Sequence, residues 1–348
     1  MYRLNEKIRN RKPYDPVVGN CRIRLDANES FLPLPDAIRA KIAEAVSELP
    51  YNRYPDPDAS ELCESFARFY GADPALVTAG NGSDELISVL IGAFLQKGEP
   101  VLTLVPDFSM YRLYAELYEA RCVEFRKRDD SRIDTDAVID AVKRDGVKLL
   151  IFSNPCNPTA VGLAREEVRR LVRSVDALVV LDEAYMDFWD QSMLREAGEY
   201  ENLVVLRTCS KAFGMAGIRL GFAAANPTVT AALRAVKSPY NVNSLTQRAG
   251  TVIYGEKEWA ESSVRRMVES KNRLYDALKS LEADFPETLS VAESVTNFVR
   301  IRTPEAERLY RELLRRGVAV RCFPGFLRVT AGSREENEEF LRVLRASL

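Results

Sequence analysis

The sequence predicts an α/β protein in which a larger domain holds a mostly parallel sheet and a smaller α+β domain follows. Three observations predict this class. Apolar, β-rich segments alternate with helical ones through the middle of the chain, several of these segments are apolar at consecutive positions, and the pattern shortens after a long charged helix. Strands that are apolar at consecutive positions are typical of a parallel sheet covered on both faces. Alternation of strands with helices favours the same arrangement.

Six apolar segments are predicted strands. They are Val101–Leu104, Cys122–Phe125, Lys148–Phe152, Leu178–Leu181, Leu203–Arg207 and Leu220–Ala224. Helical patterns lie between them, such as Ser83–Gln96, which Gly98 closes, and Arg165–Ser174.

A long amphipathic helix is predicted from about Glu256 to Leu281, and shorter elements follow it. They are a strand at Asn297–Ile301, a helix at Glu305–Arg316, strands near Val318–Arg321 and Phe326–Thr330, and a helix at Arg334–Ala346. The first forty-odd residues are rich in proline and are predicted to form an arm. We therefore expect an N-terminal arm with part of the small domain at 1–45, the large domain at 46–250 and the small domain at 251–348.

Composition excludes several classes of function. The 49 basic and 51 acidic residues give a net charge of -2, so nucleic acid and anionic membranes are not expected partners. The chain has no histidine, which excludes Ser-His-Asp nucleophiles and histidine metal ligands. Its six cysteines form no CxxC pair, so we expect no metal site, no disulfide framework and a reducing cytoplasm. The charged first twenty residues indicate no secretory signal, and Leu86–Leu95 is too short to span a bilayer.

Lys211 is the first candidate for chemistry. It lies in the segment Thr208–Gly214, directly after a predicted strand, and strand ends in α/β sheets face the ligand crevice. A lysine amine that is partly shielded from water can attack a carbonyl and form a Schiff base. Taken alone, the segment is equally compatible with a surface lysine in a loop.

Two other predicted strand ends carry an acid or an amide. Asp182 could pair with a protonated pyridine nitrogen and keep an electron sink charged. With Glu183 it could instead bind a metal, but the chain lacks the G-x-x-x-x-G-K-[ST] loop of Walker-type sites. Asn-Pro steps at Asn154 and Asn157 force extended or turn geometry and could aim an amide into the crevice, although a plain turn explains either one singly.

Other segments could bind an anion or a flat ring. Gly80–Glu85 leads into a helix whose free N–H groups would attract a phosphate, or it is simply a helix start. Phe108 could stack on a cofactor ring, although core packing is commoner for aromatic residues. Arg219, Arg321 and Arg328 suit recognition of carboxylate or phosphate, with a surface role as the default.

Together and in this order, the segments resemble the histidinol-phosphate aminotransferase family of fold-type I, class II pyridoxal-phosphate-dependent aminotransferases. The resemblance covers nearly the whole chain, and its most specific piece is Ser210–Gly221. Leu25–Glu29, Tyr54–Pro57, Leu327–Gly332 and Arg334–Asn337 are also similar to the family. The resemblance implies a mostly parallel seven-stranded sheet sandwiched by helices, plus a smaller α+β domain.

The resemblance also implies roles for individual residues. Lys211 would form the Schiff base with pyridoxal 5'-phosphate and shuttle a proton, Asp182 would keep the pyridine nitrogen protonated, and Tyr185 would bind the ring hydroxyl. The remaining cofactor-binding residues would be Gly82, Ser83, Asp84, Phe108, Asn157, Thr208, Arg219 and, from the second subunit of a homodimer, Tyr54. The substrate-binding residues would be Tyr14, Asn28, Asn157, Arg321 and Arg328.

The activity implied by the resemblance is transfer of an amino group from histidinol phosphate to 2-oxoglutarate in histidine biosynthesis, giving imidazole-acetol phosphate and glutamate. The sequence departs from the family at Ala160, usually glycine, at Phe108, often tyrosine, and in a short loop between Arg321 and Arg328. Alternative enzymes are an aromatic amino-acid aminotransferase and a threonine-phosphate decarboxylase. The non-enzyme alternative is a cofactor-sensing regulator, but the chain lacks a basic helix-turn-helix segment.

Overall fold

The computed structural model describes residues 2–13 and 21–348, and within them it contains sheets of seven, four and two strands. The strands are β1 (Ile23–Arg24), β2 (Val77–Gly80), β3 (Pro100–Val105), β4 (Arg121–Arg126), β5 (Leu149–Ser153), β6 (Leu178–Asp182), β7 (Leu203–Thr208), β8 (Gly221–Ala225), β9 (Ser290–Ala292), β10 (Phe298–Arg302), β11 (Val318–Ala319), β12 (Arg321–Phe323) and β13 (Phe326–Thr330). The α-helices are α1 (Glu6–Arg9), α2 (Asp36–Ser47), α3 (Ser60–Tyr70), α4 (Ser83–Phe94), α5 (Met110–Leu117), α6 (Thr135–Arg144), α7 (Arg165–Arg173), α8 (Pro227–Val236), α9 (Ser244–Gly255), α10 (Lys257–Asp284), α11 (Ala306–Arg315) and α12 (Arg334–Arg345).

The seven-stranded sheet has the order β2-β8-β7-β6-β5-β3-β4. Strands β7, β6, β5, β3 and β4 run parallel to one another, whereas β8 is antiparallel to both β2 and β7. Successive residues of one strand belong to different cores: Leu150 and Phe152 pack in one cluster, and Leu149 and Ile151 in another. Both faces of the sheet are therefore covered, which explains the consecutive apolar residues. The predicted α/β class with a mostly parallel seven-stranded sheet is confirmed.

Strand order determines where a ligand can bind. The chain goes from β3 outward to β4 and then returns to place β5 on the other side of β3. Ligands of open α/β sheets bind at the carboxyl ends of the strands, at the point where the order reverses. The loops that follow β3 and β5 meet there beside the end of β6, and these segments carry Phe108, Asn157 and Asp182.

A second hydrophobic core lies on the four-stranded antiparallel sheet, whose order is β12-β13-β10-β9. One face of this sheet packs against the long helix α10 and against α11 and α12. The N-terminal segment joins this region because β1 pairs in parallel with β11.

The prediction of a single strand near Val318–Arg321 is wrong in one respect. The chain divides at Val320, so that β11 pairs with β1 and β12 pairs with β13. The division arises because two different neighbours compete for adjacent parts of the segment. Among the described helices, none combines the length and apolar character needed to cross a bilayer.

Candidate active site

The carboxyl ends of neighbouring parallel strands bring three candidate residues together. Asp182 is the last residue of β6, and Ser153, the last residue of β5, pairs with it in register. Asn157 follows β5 by four residues, and Lys211 follows β7 by three. Because these strands are parallel and adjacent, their ends lie along a single edge of the sheet.

Asp182 is a buried carboxylate with two hydrogen bonds. The Tyr111 hydroxyl donates to its Oδ2 at 2.8 Å, and the Ala184 N–H donates to its Oδ1 at 3.1 Å. Burial raises the pKa of Asp182 to about 6, although both hydrogen bonds act in the opposite direction. A positive charge beside this carboxylate would therefore stabilise its ionised form.

Lys211 is half-buried and points toward the N-terminal segment. Its Nζ donates to the Ala27 carbonyl at 3.0 Å and lies 5.9 Å from the centroid of the Tyr185 ring. The structure thus places the Lys211 amine beside Tyr185, which follows β6. Within residues 2–13 and 21–348, no carboxylate forms an ion pair with this amine.

Asn28 connects the N-terminal segment to both larger sheets. Its Nδ2 donates to the Tyr185 hydroxyl at 2.8 Å, and its Oδ1 accepts a hydrogen bond from the Thr330 hydroxyl at 3.2 Å. The ring of Tyr185 packs edge-on against Phe298 at 5.3 Å. Asn28 and Tyr185, both predicted site residues, are therefore in direct contact and buried.

Arg328 on β13 reaches the end of β5. Its Nη1 donates to Asn157 Oδ1 and its Nη2 donates to the Asp26 carbonyl. The guanidinium lies 5.5 Å from the Phe298 ring centroid, and only 7% of the residue is exposed. Arg321 pairs with Arg328 across β12 and β13 and is half-buried. Tyr14, the remaining predicted substrate residue, lies outside the described residues.

The start of α4 forms a candidate anion site. Gly82, immediately before this helix, has a φ of +82°, and a Cβ there would lie 2.9 Å from Arg219 Nη2. A Cβ at Gly221 would lie 2.3 Å from the Ser83 nitrogen, so only glycine lets β8 approach the turn. The N–H groups at a helix start, with Arg219 beside them, can bind a phosphate.

Two predicted phosphate residues already have side-chain partners. The Asp84 Oδ2 accepts a hydrogen bond from the Tyr114 hydroxyl at 2.9 Å, which leaves the backbone N–H of Asp84 as the group suited to a phosphate. The Thr208 hydroxyl donates to Ser210 Oγ at 3.0 Å. Phe108 packs edge-on against Tyr111 with ring centroids 5.6 Å apart.

Tyr54 is not brought to the other candidates. It is 81% exposed, and its ring stacks on Tyr240 with centroids 4.6 Å apart.

Sequence reasoning missed Tyr111, whose hydroxyl contacts Asp182. The signal was available, since Tyr111 follows β3 in the same segment as Phe108, but buried aromatic residues are usually only part of the core.

A buried ion pair supports the loop after β5. Lys127 Nζ lies 3.2 Å from Asp107 Oδ2 and 3.0 Å from Cys156 Sγ, and both charged side chains are 1% exposed. Asp107 also accepts a hydrogen bond from the Ser153 hydroxyl, and Ser153 Oγ in turn accepts one from the Asn157 N–H at 3.2 Å. This chain of contacts fixes the backbone that carries Asn157.

Comparison with known proteins identifies relatives across the whole chain. Residues 22–344 match the family model for aminotransferases of class I and II. The chain is 38% identical over 347 residues to the histidinol-phosphate aminotransferase of Clostridium novyi (strain NT), covering 98% of this chain and 96% of that protein. It is 39% identical over 345 residues to the enzyme of the same name from Thermococcus gammatolerans, again covering 98% and 96%.

Solved structures share the fold. The histidinol-phosphate aminotransferase from Sinorhizobium meliloti in complex with pyridoxal-5'-phosphate superimposes with a TM-score of 0.87 at 22% identity, covering 100% of this chain and 98% of that one. The L-threonine-O-3-phosphate decarboxylase from Porphyromonas gingivalis gives a TM-score of 0.79 at 22% identity, covering 93% and 98%. Because these identities are low, the likeness establishes the fold alone.

Proposed function

Since the chain belongs to the class I and II aminotransferases and, within them, to the histidinol-phosphate aminotransferase family, we propose that it transfers the amino group of histidinol phosphate to 2-oxoglutarate. It is a transaminase whose cofactor is pyridoxal 5'-phosphate. The observation that carries the substrate assignment is the pair Arg321 and Arg328, which lie opposite each other on β12 and β13, with Arg328 donating to Asn157. Two neighbouring guanidinium groups suit an amine that bears a phosphate.

The described residues fit pyridoxal phosphate on features of this structure. The buried Asp182 carboxylate, with its pKa raised to about 6, would gain a partner in a cationic ring nitrogen. The turn at Gly82 and the start of α4 offer N–H groups to a phosphate, with Arg219 beside them. We assign the cofactor to these residues together with Lys211, Tyr185, Asn157, Thr208 and Phe108.

The chemistry divides between the cofactor and the chain. When bound, pyridoxal phosphate supplies an aldehyde that condenses with amines and a ring that accepts electrons from the α-carbon of the substrate. Lys211 would hold the cofactor through its amine, and the same amine, when free, would act as a positioned base toward the proton on that carbon. Asp182 would keep the ring nitrogen charged, which would make the ring a better electron acceptor.

Other residues orient the reacting groups. Asn157 and Tyr185 would bind the ring hydroxyl, and Asn28 would position the Tyr185 hydroxyl through their 2.8 Å hydrogen bond. Phe108 would stack on the ring. Arg328 would bind the carboxylate of glutamate or 2-oxoglutarate in one half-reaction and would take part in binding histidinol phosphate in the other. With Arg321 and Tyr14, it completes the proposed substrate site.

A substrate panel on purified protein tests the proposal. Histidinol phosphate and phenylalanine would each be assayed with 2-oxoglutarate, and threonine phosphate would be assayed for decarboxylation. We expect rapid turnover of histidinol phosphate alone. Turnover of phenylalanine with histidinol phosphate inert would instead favour an aromatic amino-acid aminotransferase, and release of carbon dioxide from threonine phosphate would favour a decarboxylase.

Assembly, location and domain organisation are part of the same proposal. We propose a cytoplasmic homodimer in which Tyr54, 81% exposed in one chain, reaches the cofactor of the partner. Sedimentation of the holoprotein as a monomer would contradict this assembly.

We also propose domain boundaries near residues 45 and 250. The separate core on the four-stranded sheet and the pairing of β1 with β11 support the division into two domains, and limited proteolysis would test the boundaries.

A further inference from the structure

One face of the four-stranded sheet carries arginines where a sheet usually meets solvent. On β10, Val299 and Ile301 belong to the hydrophobic core, and Arg300 and Arg302 alternate with them. On β13, Arg328 likewise lies between core residues. Since successive side chains of a strand point to opposite sides, all three arginines project from the face opposite the core.

The strand register places Arg321, Arg328 and Arg300 side by side in one row across β12, β13 and β10. Arg328 pairs with Arg300 on β10 on one side and with Arg321 on β12 on the other. Residues directly opposite each other on antiparallel strands have Cα atoms about 4.5–5.5 Å apart and share one face. Like charges directly opposite each other on one face repel, and Arg300 and Arg328 are such a pair.

Arg300 is the buried end of this row. Only 3% of the residue is exposed, its Nη1 donates to the Ser131 hydroxyl, and its Nε has no hydrogen-bond partner. In the part of the chain that the structure describes, no carboxylate forms an ion pair with Arg300. Burial, and secondarily the neighbouring Arg302, lowers the pKa of Arg300 to about 10, so the group stays positive at neutral pH.

A buried cation without a carboxylate partner is costly and calls for a compensating charge. The residues around Arg300 supply a hydroxyl from Ser131 and a ring from Phe326, whose centroid is 5.9 Å away. Neither is negatively charged, and the Asp130 carboxylate, which raises the pKa of Arg300, has a smaller effect on that pKa than burial. The neighbouring guanidinium of Arg328 is the group to which the substrate's anion is assigned above, so an anion held there lies next to both positive charges.

We propose that Arg300 is a specificity-determining residue that makes the Arg328 site favour doubly charged anionic groups, such as a phosphate ester, over singly charged ones. Arg300 supplies a second buried positive charge and need not touch the substrate. A dianion gains about twice the Coulomb energy of a monoanion from the same charge. This inference rests on the proposed function, because it takes Arg328 as a substrate-binding residue.

Binding of simple anions to the holoenzyme tests the inference. The probes are inorganic phosphate at pH 8, where it is a dianion, and acetate, a monoanion. Their dissociation constants are measured by calorimetry, and the KM and kcat for histidinol phosphate are measured in parallel. In Arg300→Met we expect phosphate affinity to fall roughly tenfold and acetate affinity roughly threefold, because the lost interaction scales with the charge of the ligand. The KM should rise with little change in kcat.

Three variants separate charge from structure. Arg300→Lys keeps the positive charge and should retain phosphate affinity within about twofold. Ser131→Ala removes the hydrogen-bond partner but keeps the charge, and it should bind both anions as the wild type does. Arg302→Met removes the next arginine on the same face, whose Nη2 donates to the Asp129 carbonyl, and it should leave the ratio of phosphate to acetate affinity as in the wild type. The thermal midpoint of each holoprotein reports on folding.

Two results would overturn the inference. One is an Arg300→Met protein that binds phosphate like the wild type or loses acetate and phosphate affinity equally. The other is equal loss of affinity and of thermal midpoint in Arg300→Lys, Arg300→Met and Ser131→Ala, which would make Arg300 a structural tether. If wild-type protein fails to transaminate histidinol phosphate while Arg300→Met still loses phosphate selectively, the proposed function fails and the charge selectivity stands.

Discussion

The hydroxyl of Tyr111 lies 2.8 Å from Oδ2 of Asp182, and both side chains are buried. Tyr111 belongs to α5, which follows β3, whereas Asp182 ends β6. The contact therefore joins two segments that are far apart in sequence. Its role is to hold the carboxylate and to stabilise the carboxylate's ionised form, since this hydrogen bond lowers the pKa that burial raises.

Replacing Tyr111 by phenylalanine should weaken cofactor binding in a pH-dependent way. Without the hydrogen bond the pKa of Asp182 rises above about 6, so less of the carboxylate is charged near neutral pH. We expect cofactor affinity to fall about tenfold at pH 6 and less at pH 8, as suits a hydrogen bond to a charged group. Cofactor titration followed by fluorescence at both pH values measures this.

Tyr114→Phe is the matched control, because Tyr114 lies on the same helix and donates to Asp84 at 2.9 Å. It should not reproduce the difference between the two pH values. A Tyr111→Phe protein that binds the cofactor like the wild type at both pH values would show that Asp182 needs no such support.

Replacing Asp182 by asparagine should stabilise the apoprotein at neutral pH. The folded-state pKa of Asp182, about 6, lies above the ordinary value of 3.8, so its contribution to stability is full at low pH and is lost as pH rises through 6. The difference corresponds to about 3 kcal/mol. Urea unfolding of apoprotein should show Asp182→Asn more stable than wild type at pH 7 by up to about that amount, and nearly equal at pH 4. A destabilised variant at pH 7 would contradict this account.

Replacing Gly82 by alanine should impair cofactor binding beyond its effect on folding. The residue has a φ of +82°, and the added Cβ would lie 2.9 Å from Arg219 Nη2. Gly98 offers a matched control, because its φ is +84° and no atom lies within 4 Å of its added Cβ. Each alanine should cost about 1–3 kcal/mol of stability because φ is positive at both positions. Only Gly82→Ala should weaken cofactor affinity, and equal affinities in the two variants would refute the phosphate assignment.

Replacing Lys127 by methionine should strongly destabilise the fold. Lys127 and Asp107 lie 3.2 Å apart with 1% exposure each, so the change leaves a buried carboxylate without its cation. Breaking a buried pair on one side costs about 3–5 kcal/mol. Lys97 and Glu119 are also 3.2 Å apart, but Lys97 is 77% exposed, so Lys97→Met should change stability little. Urea unfolding of both variants measures the difference in the free energy of unfolding. Similar values for Lys127→Met and Lys97→Met would contradict the prediction.

The sequence predicted most of the large sheet because its central strands are buried on both faces. The six predicted strands lie within a residue or two of the observed β3 to β8. It did not predict β2, Val77–Gly80, because four residues ending in alanine and glycine carry little strand signal. It also predicted β11 and β12 as a single strand. The partner of β11 is β1, which lies about 300 residues earlier in the chain and could not be identified from the local pattern.

The site could be predicted only as far as strand ends and family resemblance allowed. Lys211 and Asn157 follow strands and Asp182 ends one, and that position made them candidates for the crevice. The place of Tyr111 after β3 could be inferred from the sequence, but its contact with Asp182 and the contacts of Arg300 could not. Helical spacing does not identify the partner of a buried hydroxyl, and strand alternation normally assigns a charged residue such as Arg300 to solvent.

Reduction of the holoprotein with borohydride, followed by peptide mapping, tests the central claim most directly. If the Lys211 amine holds the cofactor covalently, the reduced label will be found on the peptide that contains Lys211, and Lys211→Ala protein will carry none. A label on a different lysine, or no label on wild-type holoprotein, would contradict the assignment of the active site.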